Sequence, residues 1–331
     1  MTARFLTLST LVACTLAAPL PAQSSQCTGQ AVAIRDACQK GADIFAMMMP
    51  QVQSALAGGG PILGSARAVR GVSIGLRVNA VDGRVPDLDQ VSLSATGIVR
   101  STMPTKRAPV PAPALDVGIA IFPGVSVGLQ RILTVEGLVN VAYIPSREFG
   151  DFRIKADNGS LKLGYGAKVG ILNDRLLMPA VSVSFFRRQL PTTTFSTSFT
   201  SSIAGVATRD SITLGQTSVR NDAIRLALSK KLGFIEIGGG VGQDRYRTFA
   251  SLNARVSSGI GPAASGDAVL MQELKRNAAY GSFALNIFKL RVGAEAGATF
   301  GGDSLATYNT FTDGKLNERR LFGSVGLRVG F

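Results

Sequence analysis

The sequence predicts an all-β chain: a transmembrane antiparallel β-barrel of about 12 strands, within a range of roughly 10 to 14, with a short N-terminal helical segment. Three observations carry this prediction. Two-residue alternation of apolar with small or polar residues recurs from about residue 70 onward. The segments joining these runs are of two lengths, short turns and long polar connections, and the two alternate from residue 159 on. The chain stops inside such a run, SVGLRVGF, with Val325, Leu327, Val329 and Phe331 set against Ser324, Gly326, Arg328 and Gly330 and no polar tail.

Composition agrees. Of 331 residues, 46% are hydrophobic and only 17% charged, against about 25% charged in an average soluble protein. There are 38 glycines, no tryptophan and no histidine. No run of about 20 apolar residues follows residue 30, so a spanning helix beyond the leader is not expected. A closed sheet leaves no backbone group unpaired in lipid.

Residues 1–22 read as a signal peptide. Arg4 supplies the positive start, residues 5–18 the apolar stretch, and Pro19 and Pro21 precede a cut after Ala22. The apolar stretch is too short for a membrane anchor. LVAC, residues 11–14, offers an alternative in which Cys14 is lipidated.

Residues 23–60 form the helical, plug-like segment, ahead of a barrel over 61–331. Ile34, Cys38, Phe45, Met48, Val52 and Leu56 recur near helical spacing. Gly41 weakens the helix, Pro50 is expected to kink or split it, and AGGGP at 57–61 ends it. Cys27 and Cys38 remain after the signal is removed, and an exported chain favours a disulfide between them over two free thiols. Eleven residues of unbroken helix would hold them about 16 Å apart, so a bridge requires the chain near Gly29 to fold back.

The clearest strands are LKLGYGAKVGI (161–171) and LRVGAEAGATF (290–300), with shorter runs at 74–79, 181–185, 224–229 and 282–287. Short turns fall at 172–175, 230–233 and 288–289. Long polar connections are expected at 101–112, 146–158, 189–218, 251–276 and 302–317, the third with room for an extra hairpin. The polar faces place Arg77, Lys162, Lys168, Arg225, Arg291 and Arg328, with Glu236 and Glu295, toward a lumen. Six basic against two acidic residues predict an electropositive interior that attracts anionic solutes; internal salt bridging is the alternative.

The net charge is +14. An exported chain without an aromatic-interleaved basic patch points away from nucleic acid and toward anionic lipid headgroups, lipopolysaccharide or anionic solutes. Without histidine, Ser-His-Asp chemistry and most zinc sites are closed to the chain. Asp87 and Asp89 read as solvated turn residues and GGGVG at 238–242 as barrel packing, not a phosphate loop. No enzyme activity, cofactor or metal is expected.

The terminal stretch is similar to the assembly signal of bacterial outer-membrane barrels: a polar residue, glycine, an apolar residue and a terminal phenylalanine at Ser324, Gly326, Val329 and Phe331. That resemblance implies the barrel-assembly machinery as a partner. A helical segment before a medium-sized barrel, with GS at 64–65, resembles in layout the FadL-like transporters of hydrophobic compounds; the Asn-Pro-Ala signature of that family is missing. The layout implies passive transport of small hydrophobic or anionic amphipathic compounds. The alternative is a non-transporting barrel with a surface-binding or structural role. MMM at 47–49 either offers an apolar surface to a lipid-like ligand or packs the helix against its neighbours.

Overall fold

The computed structural model describes residues 23–331 apart from 61, 62, 64, 69, 70, 129, 150, 151, 176, 177, 204, 205, 258–262, 314 and 315. The signal peptide, the Cys14 alternative and Gly64 of the GS pair lie outside the described residues. Two helices come first, α1 (Ser25–Thr28) and α2 (Val32–Ala57). The main strands are β1 (Val72–Pro86), β2 (Thr105–Phe122), β3 (Gln130–Tyr143), β4 (Phe152–Ala156), β5 (Leu161–Leu172) and β6 (Ala180–Gln189). They continue with β7 (Thr193–Ile203), β8 (Val206–Leu232), β9 (Ile235–Val256), β10 (Ala264–Ile287), β11 (Leu290–Phe300) and β12 (Arg320–Gly330).

Among the described residues, ten of these strands close a ring in the order β1, β2, β3, β5, β6, β8, β9, β10, β11, β12 and back to β1. Every pairing in the ring is antiparallel, and the seam joins Ser73 to Gly330 through Val81 to Phe322. Ten strands is the low end of the expected range. Strands β8, β9 and β10 are longer than a membrane needs, so the same chain length yields fewer of them.

Outward residues such as Ile74, Leu76 and Val78 on β1 and Val325 and Leu327 on β12 are exposed, while their neighbours point inward. On β12 the exposed apolar row runs from Leu321 to Val329, about 26 Å of strand at ~3.3 Å per residue and about 20 Å of height after barrel tilt. Short connections close one end, between β5 and β6, β8 and β9, and β10 and β11; long connections close the other.

Beyond the apolar belt the alternation inverts. On β9, Leu252, Ala254 and Val256 are buried and face inward, and Arg255 is exposed. In lipid the apolar face must look out; above lipid, water takes that side and the apolar face turns in. The inverted stretches of β8, β9 and β10, joined by β7 and β4, form an open external sheet. The expected connection at 251–276 is therefore strand up to Val256 and again from Ala264, and 189–218 does contain the extra hairpin, β7 with β8.

The expected connection at 101–112 is also strand over most of its length. Pro109, Pro111 and Pro113 of β2 pair with Asp82, Ala80 and Val78 of β1, while pairing to β3 begins at Ala114. The Ala120 amide donates to Gly71 O, so even-numbered amides of β2 face β1 and odd-numbered ones face the unpaired edge. Each proline thus stands where an N–H would have no partner, and the edge cannot recruit another strand.

Helix α2 runs unbroken through Pro50, contrary to the expected kink or split. Ser54 Oγ donates to Pro50 O, and contacts along its length hold the helix on both sides of the missing bond. Gly41 is a packing position: a Cβ there would lie 2.7 Å from Leu252 Cδ1. Ile34, Phe45, Met47, Met49 and Leu56 join Ile212, Leu214 and Leu252 in one buried cluster, so the methionines at 47–49 pack the helix against the wall. Cys27 and Cys38 form a disulfide with Cα atoms 5.5 Å apart, and α1 folds back over the start of α2. Replacing both cysteines with serine should cost about 3 kcal/mol by loop-closure entropy, measured as a lower denaturation midpoint of the non-reduced protein.

Candidate functional site

The described residues between 25 and 67 line up along the lumen from one end to the other. At the long-connection end, Gln30 Nε2 donates to Asp267 O at 2.7 Å and Gln26 Oε1 accepts from Val269 N. Asp36 accepts from Lys40 Nζ and from the amides of Ser94 and Val99, and so holds the connection after β1. Asp43 accepts from the amides of Tyr308 and Asn309 and from the Asn309 and Gln39 side chains, and so holds the connection after β11. Burial pushes the Asp43 carboxyl above its ordinary value, against those four donors that pull it down.

Halfway down, the helix ends among arginines. Its last carbonyls have no intrahelical donors, and Arg188 supplies them, binding Leu56 O and Ala57 O and reaching Gly60 O at 3.3 Å. Arg77 Nη1 donates to Gly60 O at 2.8 Å, Arg225 Nε to Gly59 O at 3.4 Å, and Asn79 to Ala55 O. Glu295 takes the Gly60 amide at 3.1 Å. Gly59 has φ of +63°, and a Cβ there would collide with the Glu295 carboxylate, so the glycine run is what lets the backbone lie inside this ring. Below it, Arg291 donates to Leu63 O, Ser65 Oγ to Glu236, the Ala66 amide to Ser229 Oγ, and Lys168 to Arg67 O. Arg67 stands 3.6 Å from Asp174 in a short turn. The plug segment therefore starts at the long-connection end and leaves the lumen at the other, where β1 begins.

The structure places Arg77, Lys168, Arg225, Glu236, Arg291 and Glu295 on the inner face and largely buried, with Arg328 on the same face and half-buried. Lys162 is exposed: it shares the inward register of β5 but stands at the strand's outer end, where water reaches it. The interior is not the six-to-two basic surface expected from the sequence. Asp116 pairs with Arg77 at 2.9 Å, Glu136 with Lys168 at 3.0 Å, Asp244 with Arg225 at 2.7 Å, and Glu236 with Arg291. Asp116, Glu136, Asp244 and Arg188 were missed by the sequence reading. Their strands are visible as alternation, but a residue's partner depends on cross-strand register, which one sequence does not print.

At the C-terminus, Ser324 Oγ donates to Asn79 Oδ1 inside the lumen, and Gly326 leaves room for Arg77. Val329 and Phe331 face outward, and the Phe331 amide donates to Val72 O at the seam.

Among the described residues, no group of three or more histidine, cysteine, aspartate or glutamate side chains could hold a metal. No protein-family model matches the chain, and no curated protein matches it. Among solved structures, it is similar to the CymD monoaromatic hydrocarbon channel at 9% identity, over 85% of this chain and 97% of that one, with a TM-score of 0.30. It is similar to the outer-membrane expressed OmpT of Vibrio cholerae at 11% identity, over 78% and 97%, with a TM-score of 0.18. It is similar to a BenF-like porin from Pseudomonas fluorescens at 8% identity, over 79% and 98%, with a TM-score of 0.14.

Proposed function

We propose that this chain is an outer-membrane barrel channel, exported by its leader and closed at rest by its own N-terminal segment. The observation that carries the proposal is how that segment meets the wall in mid-lumen. Its backbone carbonyls are held by arginine hydrogen bonds, which water can replace, whereas an apolar core cannot be vacated without cost. With the segment shifted, the path would be lined by paired charges and suit small hydrophobic or anionic amphipathic solutes, without catalysis. The long-connection end would face the cell exterior, the apolar belt would meet membrane lipids and lipopolysaccharide, and the terminal signature would be read by the barrel-assembly machinery; nucleic acid has no place in this reading.

Two experiments test it. The protein should fractionate with outer membranes, migrate faster unheated than boiled, and admit small solutes in a vesicle-swelling assay; recovery as a soluble periplasmic species would sink the barrel reading. Deleting Phe331 or replacing it with Asp should reduce assembled protein several-fold, read as loss of the heat-modifiable band. The amide at 331 pairs across the seam, and a charge there would face lipid. Normal assembly of both variants would mean that the terminal register is coincidental.

The second reading is a non-transporting barrel with a structural or surface-binding role. The buried apolar cluster that fixes the outer half of α2 to β8, β9 and β10 favours it. Absence of solute flux under every condition that preserves the folded band would decide for it.

A further inference from the structure

The mid-lumen ring contains two charges that no side chain answers. Arg188 of β6 and Glu295 of β11 are 2% and 4% exposed. The charges beside them are matched, Arg77 by Asp116 and Arg225 by Asp244, but neither Arg188 nor Glu295 makes an ion pair among the described residues. Backbone answers them instead. Arg188 donates to Leu56 O, Ala57 O and Gly60 O, and its Nε has no acceptor among the described residues. Glu295 takes the Gly60 amide at 3.1 and 3.3 Å. A buried charge met only by backbone dipoles is held at a cost that a full counter-charge would relieve.

Gly60 stands between the two charges as a template. Its N–H points to Glu295 and its C=O to Arg188. The N–Cα–C=O skeleton of one residue is also that of a free α-amino acid, with an ammonium for the amide and a carboxylate for the carbonyl. That exchange strengthens both contacts: the guanidinium fork meets two anionic oxygens, and the Glu295 carboxylate meets a charged group with three donors. The Arg188 guanidinium is steadied from behind by Phe186, its Cζ 4.8 Å from the ring centroid. Both residues belong to the wall, Arg188 across from Asn221 and Glu295 across from Ser282 and Ser324. The two charges therefore stay where they are when the plug segment shifts.

Other solutes meet a penalty at this spacing. A carboxylate alone reaches Arg188 only beside the charge of Glu295, and an amine alone meets the reverse. An uncharged solute leaves both buried charges unanswered. Just before the ring, Ala55 of the plug clusters with Val81, Tyr280 and Phe322, so withdrawal of the segment bares an apolar wall beside the two charges. We infer that the vacated ring selects α-amino acids with apolar side chains, the carboxylate on Arg188 and the ammonium on Glu295. The inference rests on the channel reading and adds a preferred class to its solutes.

The test uses the full-length mature protein in lipid vesicles and follows entry of labelled leucine and labelled arabinose together, the sugar serving as an uncharged solute of similar size. Arg188→Gln and Glu295→Gln should each lower the leucine-to-arabinose entry ratio about 10-fold or more, the scale of one lost charge-assisted contact. Each variant is first shown to keep the heat-modifiable band. If Arg188 only anchors the plug, its loss changes entry of both solutes alike and leaves the ratio unmoved. A second measurement needs no variant: unlabelled leucine should slow entry of labelled leucine, while isocaproate, which lacks the ammonium, and isoamylamine, which lacks the carboxylate, should not at the same concentration. Entry of arabinose with a ratio unmoved by both variants, or equal competition by either analogue, would overturn this inference and leave the channel standing. Entry of neither solute would overturn the channel reading and this inference with it.

Discussion

Deleting residues 24–57 should convert a barrel with no resolvable single-channel steps into one that conducts ions in discrete steps across a planar bilayer. The helix and the glycine run after it take the space on the axis, and the wall is otherwise a closed ten-stranded ring. Eight strands enclose a lumen that side chains alone fill; ten leave more, and here α2 uses it. The deletion removes the carbonyl partners of Arg188 at Leu56 and Ala57, whose guanidinium then faces water. It also strips the apolar cluster from the external sheet, so the heat-modifiable band of the deleted protein must be shown first. Replacing Cys27 and Cys38 with serine should raise conductance far less, because the disulfide ties α1 to α2 and touches no carbonyl in mid-lumen. A folded deletion variant that stays silent would mean that the inward side chains fill the ring by themselves, and the transport reading would fail.

Arg225→Ala should destabilise the barrel by about 3–5 kcal/mol, the scale for stranding one partner of a buried ion pair. Asp244 is fully buried and takes two hydrogen bonds from the Arg225 Nη2 at 2.7 and 2.8 Å. With the arginine gone, Asn221 Nδ2 still donates to Asp244 at 3.1 Å, but no positive charge at hydrogen-bond distance faces the carboxylate. The double variant R225M/D244L removes both charges and should recover most of the loss, since apolar replacement of a buried pair is often neutral. Denaturant unfolding in vesicles measures both. A loss below about 1 kcal/mol for the single variant is the value of a water-screened pair, and it would show that the resting lumen is wet at this level.

Much of the fold was legible in the sequence. Alternation at 161–171 and 290–300 falls on β5 and β11, and the two connection lengths match the two ends of the barrel. Two stretches defeated that reading for different reasons. At 251–276 the alternation persists but its sense reverses as the strand leaves lipid, and a polar-out strand in water resembles a loop. At 105–113 three prolines carried a loop signal, yet each occupies a position whose amide faces an empty edge. For the lumen, parity sufficed to place Arg77, Lys168 and Arg225 inward. It could not show that Asp116, Glu136 and Asp244 would stand beside them, because register sets those pairs. Nor could it show which way the N-terminal segment runs. The helix begins at the long-connection end, and the segment after it reaches β1 only at the far end of the lumen.

That descent turns the barrel into a threaded bead. A hoop zipped shut from Ser73–Gly330 to Val81–Phe322 could afterwards take up this segment only end-first through the closed lumen, and the bonded hairpin at Cys27 and Cys38 widens the end that would have to lead. Laying the segment across the open sheet before the first and last strands meet avoids that passage. Closure then joins residues from opposite ends of the chain around a third segment, a non-local step whose loop-closure entropy makes it slow. Until it happens, the unpaired margins of β1 and β12 are the stickiest surfaces the chain presents, and the assembled ring, once latched, can release its thread only by lengthwise sliding or by breaking a whole strand's worth of hydrogen bonds.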